Sequence, residues 1–593
     1  MKIQTNKLRW DRITRFIKGL PENQLLLVLA FAVGLACGLA AVTLKTLIHG
    51  VQLLLERLCG SPESSFMYLI LPGIGMIIAM LFVRYVVRDD IGHGVTKALL
   101  AVSKKRSVIK PHNTWTSLAA SSVTIGFGGS VGAEAPIVYT GAAIGSNIAR
   151  LLELSYKHRT ILLGCGAAGA VAGIFKAPIA GILFTLEILL FNISMTSILP
   201  LLISTVTATT VSYIFFGQDV SFSSSVDNYL LGNIPYYILL GIFCGFVSLY
   251  FTRTTLRLED KINSVTNPYK RWAICAVSLG VLIYIFPPLF GEGYDSLINL
   301  LHADPESCMN RTIFGWFLQW EWFVPIFFAL VLIFKVFAMS FTNAGGGVGG
   351  TFGPTLIVGG IAGFILSRII NLTGFTALPE ANFVLVGMAG LMAGVMQAPM
   401  TAIFLIADIT GGYALLVPLI ITSTISFATI RLFEPYSIYT KRIAKNGQLL
   451  THDSDQAVLT LLSTAELIER DFIKVNPDDT LRVLVRAVAQ SKRNLFPVVD
   501  KKGCFMGLIA LDDIRNTMFD QSKYDSVKVY ELMRLCEYKV YYDEHMEVVM
   551  SKFEKSGVWN LPVVDADGVY MGFISKSKIF SSYREQLQQV SHD

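Results

Sequence analysis

Apolar residues fall in long runs with short polar breaks from Gln24 to about residue 430, after which the pattern changes. The first run, Gln24 to Ile48, is long enough to cross a ~30 Å hydrocarbon core at 1.5 Å per residue. Further runs stand near 67–86, 160–192, 197–216, 233–251, 272–288 and 322–341, followed by pieces from 352 to 430. Many pieces are shorter than the ~20 residues a span needs, and glycine or proline interrupts them. Broken helices persist in lipid only where their freed backbone groups line a protein-enclosed cavity. Short interrupted segments at matching places in two halves point to a transport site.

Such matching places exist. AGAVAGIFKAPIAGILFTLEI (168–188) resembles AGLMAGVMQAPMTAIFLIADI (389–409): Gly169, Ala172, Gly173, Ala177, Pro178 and Glu187 recur as Gly390, Ala393, Gly394, Ala398, Pro399 and Asp408. Upstream, GAEAP (132–136) pairs with GTFGP (350–354) at nearly the same offset. Two homologous halves are expected, about 20–215 and 230–430. An inverted arrangement is favoured, with the number of spans per half deciding it.

Composition agrees with a membrane body. Hydrophobic residues make up 53% of the 593 and charged residues 16%, with a mean hydropathy of +0.55. A soluble domain has about a quarter of its residues charged, so a wholly soluble protein is excluded. The charge is uneven. Residues 451–593 hold 18 basic and 22 acidic residues, against 31 and 21 in the first 450. A cationic membrane body therefore precedes an acidic soluble tail. Residues 1–20 read as a basic helix (Lys2, Lys7, Arg9, Arg12, Arg15, Lys18), which favours a cytoplasmic N-terminus. The eight cysteines show no regular spacing and no CxxC pair.

Three Gly-rich segments each precede an apolar, helix-forming run: GHGVTKA (92–98), GGSVGAEAP (128–136) and GGGVGGTFGP (345–354). A helix N-terminus presents unpaired N–H groups and about half a positive charge, so it can hold an anion without a side-chain cation. Glycine lets the backbone approach closely, and proline is favoured in a first turn. Close packing alone would also use glycine, but three such turns plus the repeat favour an anion cradle. Two other motifs fit by letter only. Gly128-Gly129-Ser130-Val131-Gly132 matches GxSxG without a preceding strand, and Gly345-x-Gly347-x-x-Gly350 matches GxGxxG without a βαβ unit. Glu134 is the sharpest single residue, because a carboxylate in apolar surroundings at a helix mouth is costly unless it serves ions or protons.

With these residues in view, the chain resembles the CLC family of chloride channels and chloride/proton antiporters over about 20–445. GAEAP resembles the family's GREGP element, which makes Glu134 the external gating glutamate. GGTFGP resembles GGIFAP, so the resemblance implies that the backbone N–H groups of Thr351 and Phe352 serve the central anion. GHGV resembles GSGIP, with His93 beside Gly94 where the family usually has an anion-coordinating serine. The family's pore tyrosine falls in FEPYSIYT (433–440), where Tyr436 and Tyr439 compete for the role. In APIAGILFTLEI (177–188) Glu187 occupies the first acidic position and Ile188 the second, so the family's usual internal proton acceptor is absent. Protons then pass near Glu187, or the protein is an uncoupled channel. Glu187 as a structural charge stays open.

After Lys445 a second repeat appears. LFPVVDKKGCFMGLIALDDI (495–514) aligns with NLPVVDADGVYMGFISKSKI (560–579), each reading as strand, turn, strand and helix after an earlier helix. This resembles a pair of CBS domains, at 466–525 and 526–593 behind a linker at 446–465. In such pairs an adenine-nucleotide signature ends in G-x-I-[S/T]-x-x-D. Here one repeat keeps the acid (Asp513) and the other the hydroxyl (Ser575), which leaves an adenine nucleotide open.

The expected fold is an all-α polytopic membrane protein with an internal two-fold repeat and a C-terminal α/β CBS pair. The expected function is transport of chloride or a similar small anion, H+-coupled through Glu134, with an uncoupled voltage- or pH-gated channel as the alternative. The implied partners are the anion, protons, the lipid bilayer and a second copy in a homodimer, with no nucleic acid, no metal and no enzymatic activity. The implied location is the cell membrane with both termini cytoplasmic. A membrane protease would need an HExxH pair, which the sequence lacks, and a divalent-cation transporter would need clustered carboxylates on its spans, where the membrane body offers isolated acids.

Overall fold

The computed structural model describes residues 21–59, 66–104, 107–189, 195–217, 229–310, 312, 314–317, 320–445 and 464–591. The basic segment 1–20 and nearly all of the 446–465 linker lie outside the described residues. The chain divides into two compact units, 1–450 and 451–593.

The first unit is helical. Its first half contains α1 (Glu22–Cys59), α2 (Met67–Leu81), α3 (Gly94–Lys104), α4 (Thr116–Gly126), α5 (Glu134–Leu151), α6 (Tyr156–Phe175), α7 (Pro178–Ile188) and α8 (Met195–Phe216). The second half contains α9 (Ile234–Asn263), α10 (Pro268–Ile285), α11 (Tyr294–Leu301), α12 (Phe323–Ala344), α13 (Phe352–Thr373), α14 (Glu380–Met396), α15 (Pro399–Ile409) and α16 (Leu416–Arg431), and α17 (Ile438–Lys445) follows. Among the described residues, seven helices are long and apolar enough to cross a membrane, and α3, α7, α14, α15 and α16 are shorter apolar helices. The molecule is therefore a multi-pass membrane protein with many incomplete spans.

The repeat is physical. The pairs α5–α6, α6–α8 and α1–α8 of the first half pack as α13–α14, α14–α16 and α9–α16 do in the second. The apolar run 160–192 is not one span: α6 stops at Lys176 in the left-handed conformation (φ 59°), and α7 starts at Pro178. Proline has no N–H to continue a helix and pushes the preceding residue out of helical geometry. The same break recurs at Gln397 (φ 53°) before Pro399. Hydropathy cannot register this break, because both sides of it are apolar.

The halves meet with opposed chain direction. Gly132 and Gly350 form an antiparallel bridge, their N–H groups donating to each other's carbonyls at 3.1 and 2.7 Å. At the ends of α7 and α15, Glu187 accepts from the Met400 and Thr401 N–H groups at 3.0 and 2.7 Å, and Asp408 accepts from the Ala180 N–H at 3.4 Å. Each acid caps the other helix's N-terminus, which requires α7 and α15 to run antiparallel, as an inverted repeat demands.

The second unit contains α18 (Leu481–Gln490), β1 (Leu495–Val499), β2 (Phe505–Ala510), β3 (Val540–Tyr541), α19 (Met546–Ser556), β4 (Asn560–Val564), β5 (Tyr570–Ser575) and α20 (Lys576–Ser591). β1 pairs antiparallel with β2, while β4 pairs parallel with β3 and antiparallel with β5. Asp500 and Asp565, the acids of the repeated Pro-Val-Val-Asp, accept from Cys504 and Val569 N–H groups at 2.8 and 2.7 Å, closing the two strand turns. The turns then pair with each other: Phe505 N–H donates to Gly568 and Tyr570 N–H to Gly503, at 3.1 and 2.9 Å.

Candidate anion site at converging helix termini

Three first turns come together around Ala135. A Cβ on Gly94, at the start of α3, would lie under 3.0 Å from the Ala135 carbonyl, and one on Gly350, ahead of α13, would meet the Ala135 side chain at 2.8 Å. Only residues without side chains allow these termini to approach so closely. Pro136 and Pro354 stand in the first turns of α5 and α13, where a missing N–H carries no penalty. The N-terminal ends of α3, α5 and α13 therefore place their partial positive charges in one buried region.

Glu134 is the first residue of α5 and is 3% exposed. Its carboxylate reaches across to a second helix. Oε2 accepts from the Gly353 N–H of α13 at 3.2 Å, and Oε1 accepts from the Tyr294 hydroxyl at 2.6 Å. A side chain at Gly132 would collide with this carboxylate, and one at Gly353 would touch it at 3.0 Å. The carboxylate thus occupies the position on a helix N-terminus that an anion would take.

Thr351 and Phe352 open α13, both buried, with the Phe352 ring against Phe175 at 5.3 Å. The side chain of Phe352 belongs to the core, so only its backbone faces the site. Of the two tyrosines, Tyr439 is brought to this place: it is 2% exposed and its Oη accepts from the Thr351 hydroxyl at 3.5 Å. Tyr436 is 39% exposed and lies ahead of α17, so it does not share that position. The register of α17 is set by ion pairs to two buried acids, Arg442 with Glu259 at 2.8 Å and Arg253 with Glu434 at 2.6 Å, with Lys441 also on Glu434. Burial alone would raise the Glu434 carboxyl, yet Lys441 and Arg253 hold it below the ordinary glutamate range.

His93 precedes α3 with φ 52°, and its carbonyl accepts the Lys97 N–H at 3.2 Å. Its imidazole points to Glu259, Nε2 lying 3.9 Å from the carboxylate, and not to Glu134. Any contact with an anion would come through backbone at His93 and Gly94. Glu187 is likewise distant in role: both its oxygens are taken by the α15 N-terminus, with the Thr401 hydroxyl adding a bond at 2.6 Å. Among the described residues, no group of three or more His, Cys, Asp or Glu could hold a metal ion.

The loop 290–294 brings further residues to the site from outside the sequence motifs. Phe290 packs on Gly128, which has φ +93° and no room for a side chain, and Gly291 N–H donates to the Gly128 carbonyl at 3.0 Å. This docking delivers Tyr294 to Glu134 and Glu292 to the Ala133 N–H, at 3.1 Å. Lys335, fully buried in α12, holds the loop by donating to the Leu289 and Gly291 carbonyls at 3.4 and 3.1 Å. A lone lysine in the run FVPIFFALVLIFKVFAMSF was the available signal, since an ionisable residue within a span is a functional candidate by default.

In the second unit the two nucleotide-signature residues are engaged internally. Ser575 donates to Glu469 at 2.5 Å and caps the start of α20 through Lys578 N–H at 3.1 Å. Asp513 pairs with Arg534 and accepts from Ala510 N–H at 3.2 Å.

Comparison with known proteins matches this arrangement. The family model described as voltage gated chloride channel covers residues 74–431, more than half of the chain, and the CBS domain model matches 465–520 and 529–585. A putative chloride channel protein ClcB-like of Ralstonia nicotianae is 28% identical, over 64% of this chain and 86% of its own. The H(+)/Cl(-) exchange transporter ClcA of Vibrio cholerae is 27% identical, over 75% of this chain and 96% of its own. The crystal structure of a slow cyanobacterial Cl-/H+ antiporter superposes with a TM-score of 0.62 at 22% identity, over 72% of this chain and 99% of that one, and so shares the fold. With the repeat, the converging termini and the paired tail domains all accounted for, the chain belongs to the voltage-gated chloride channel (CLC) family and carries a C-terminal CBS pair.

Proposed function

We propose that this protein moves chloride or a similar small anion across a membrane in exchange for protons, with Glu134 as the coupling group. The observation that carries the reading is the Glu134 carboxylate resting on the Gly353 N–H of α13. Protonation removes the charge that holds it there, and the vacated helix N-terminus can then take an anion. Proton binding and anion binding are in this way alternatives at one place. The similar proteins that are named chloride channel or H(+)/Cl(-) exchange transporter support the choice of anion. The reading includes a homodimer in the cell membrane with both termini cytoplasmic and the CBS pair as a regulatory platform. An adenine nucleotide there would have to displace Glu469 from Ser575 and Arg534 from Asp513.

Glu134→Gln tests the assignment. In liposomes carrying a chloride gradient, wild-type protein drives protons uphill, whereas the variant carries anions and moves no protons. Uphill proton movement by the variant would remove Glu134 from the role. A second reading, an uncoupled channel, is favoured by Ile188 at the usual internal acceptor position and by the capping role of Glu187. Proton movement during chloride-driven flux through wild-type protein separates the two.

A further inference from the structure

Glu292 stands in the loop ahead of α11, outside the repeated motifs and outside the three Gly-rich segments that precede apolar helices. Its placement nevertheless parallels that of Glu134. Glu134 sits on the first turn of α13, and Glu292 accepts the N–H of Ala133, the residue that caps α5. Each carboxylate therefore covers one of two helix N-termini that the Gly132–Gly350 bridge holds side by side. The loop carrying Glu292 also carries Tyr294, the hydroxyl donor to Glu134, so the two acids share one support. The charged groups acting on Glu292 are Glu134 on α5, Lys45 on α1 and Lys335 on α12, and the Tyr294 hydroxyl on α11 faces both acids.

Two carboxylates on adjoining helix termini, one buried and one half-buried, repel each other unless cations or protons balance them. Lys335 lies under the loop with its ammonium on the Leu289 and Gly291 carbonyls, and Lys45 approaches from α1. Resting on the transport reading above, we propose that Glu292 is a second anion-displacing carboxylate, guarding a subsite at the α5 N-terminus that an anion reaches when Glu292 takes up a proton and releases the Ala133 N–H. The proton converts the carboxylate to a neutral acid, and the departing side chain leaves the helix N-terminus to the incoming anion. Anion passage then requires two carboxylates to yield, not one.

Full-length wild-type, Glu292→Gln and Glu292→Asp proteins in liposomes provide the test, with chloride efflux measured from pH 7.5 to 4.5. Wild-type efflux is expected to rise as pH falls. Glu292→Gln, lacking the charge that competes for the α5 terminus, should raise efflux at pH 7.5 about tenfold, as expected for loss of one hydrogen bond to a charged group. Its profile should be flatter, with the remaining pH dependence belonging to Glu134. Glu292→Asp keeps the charge beside Lys335 on a shorter arm and should shift the same way by less, which covers the case in which the glutamine variant is not recovered. Wild-type efflux and pH profile in both variants would overturn the inference while leaving the transport reading intact. Absence of chloride flux from wild-type and Glu134→Gln proteins alike would instead overturn that reading.

Discussion

The first turns of α5 and α13 are equivalent in the repeat, yet Glu134 stands where α13 has Phe352, and Ala135 where α13 has Gly353. One terminus supplies a carboxylate and the other receives it on a glycine N–H. The pair Glu187 and Asp408 behaves in the opposite way, since each caps the other's helix. The left-handed stops at Lys176 and Gln397 are likewise twins. The caps at Glu187 and Asp408 join the two halves, and the position that loses its symmetry is the one to which the proposed coupling role falls.

Breaking a symmetric feature should have the largest effect, and an equal one in both halves. A side chain on Gly145 would run into the Leu162 carbonyl at under 3.0 Å, and one on Gly363 into that of Phe383. These contacts are α5 against α6 and α13 against α14, and the obstacle is backbone, which cannot rotate away. Gly145→Val and Gly363→Val are each expected to destabilise by about 3 kcal/mol or more. Loss of monodisperse protein on size exclusion in detergent checks this. Normal behaviour of either variant would show that the two helix crossings are not equivalent.

The asymmetric side can be sharpened with the tyrosines. α17 follows the repeat and brings Tyr439 to Thr351 at the α13 terminus, where its hydroxyl also donates to Met396 Sδ at 3.8 Å. Tyr439→Phe removes that oxygen and should change anion flux about fivefold, the effect of about 1 kcal/mol for one hydrogen bond. Tyr436→Phe, at an exposed position ahead of the helix, should leave flux unchanged. Equal effects of the two substitutions would return the pore tyrosine to an open question.

The repeat and the placement of Glu134 at a helix mouth were legible in the sequence because spacing survives where identity does not: the offset joining Pro178 to Pro399 also joins the two left-handed stops. The tail was legible for the same reason, through Asp500 and Asp565 in their turns. What stayed hidden belongs to long-range geometry. Tyr294 reaches Glu134 and Glu292 reaches Ala133 from about 160 residues away, through a loop whose docking depends on the bare surface of Gly128. No local pattern encodes that approach. The choice between Tyr436 and Tyr439 was hidden because it depends on where α17 begins, which ion pairs to the buried acids Glu259 and Glu434 decide.

The smallest expected effect concerns the reciprocal caps, and it is the most direct check of the division between scaffold and chemistry. Glu187→Ala frees the Met400 and Thr401 N–H groups at the start of α15, and Asp408→Ala frees that of Ala180 in α7. Loss of such a cap is worth about 1 kcal/mol. The bonds to Glu187 are the shorter ones, so its removal should lower the thermal unfolding temperature in detergent somewhat more than removal of Asp408. Neither substitution touches the terminus where Glu134 rests, and the ratio of protons to chloride in liposomes should stay at the wild-type value in both. A ratio altered by Glu187→Ala but kept by Asp408→Ala would mean that symmetry of position conceals a difference of role, and that the internal proton route passes through Glu187.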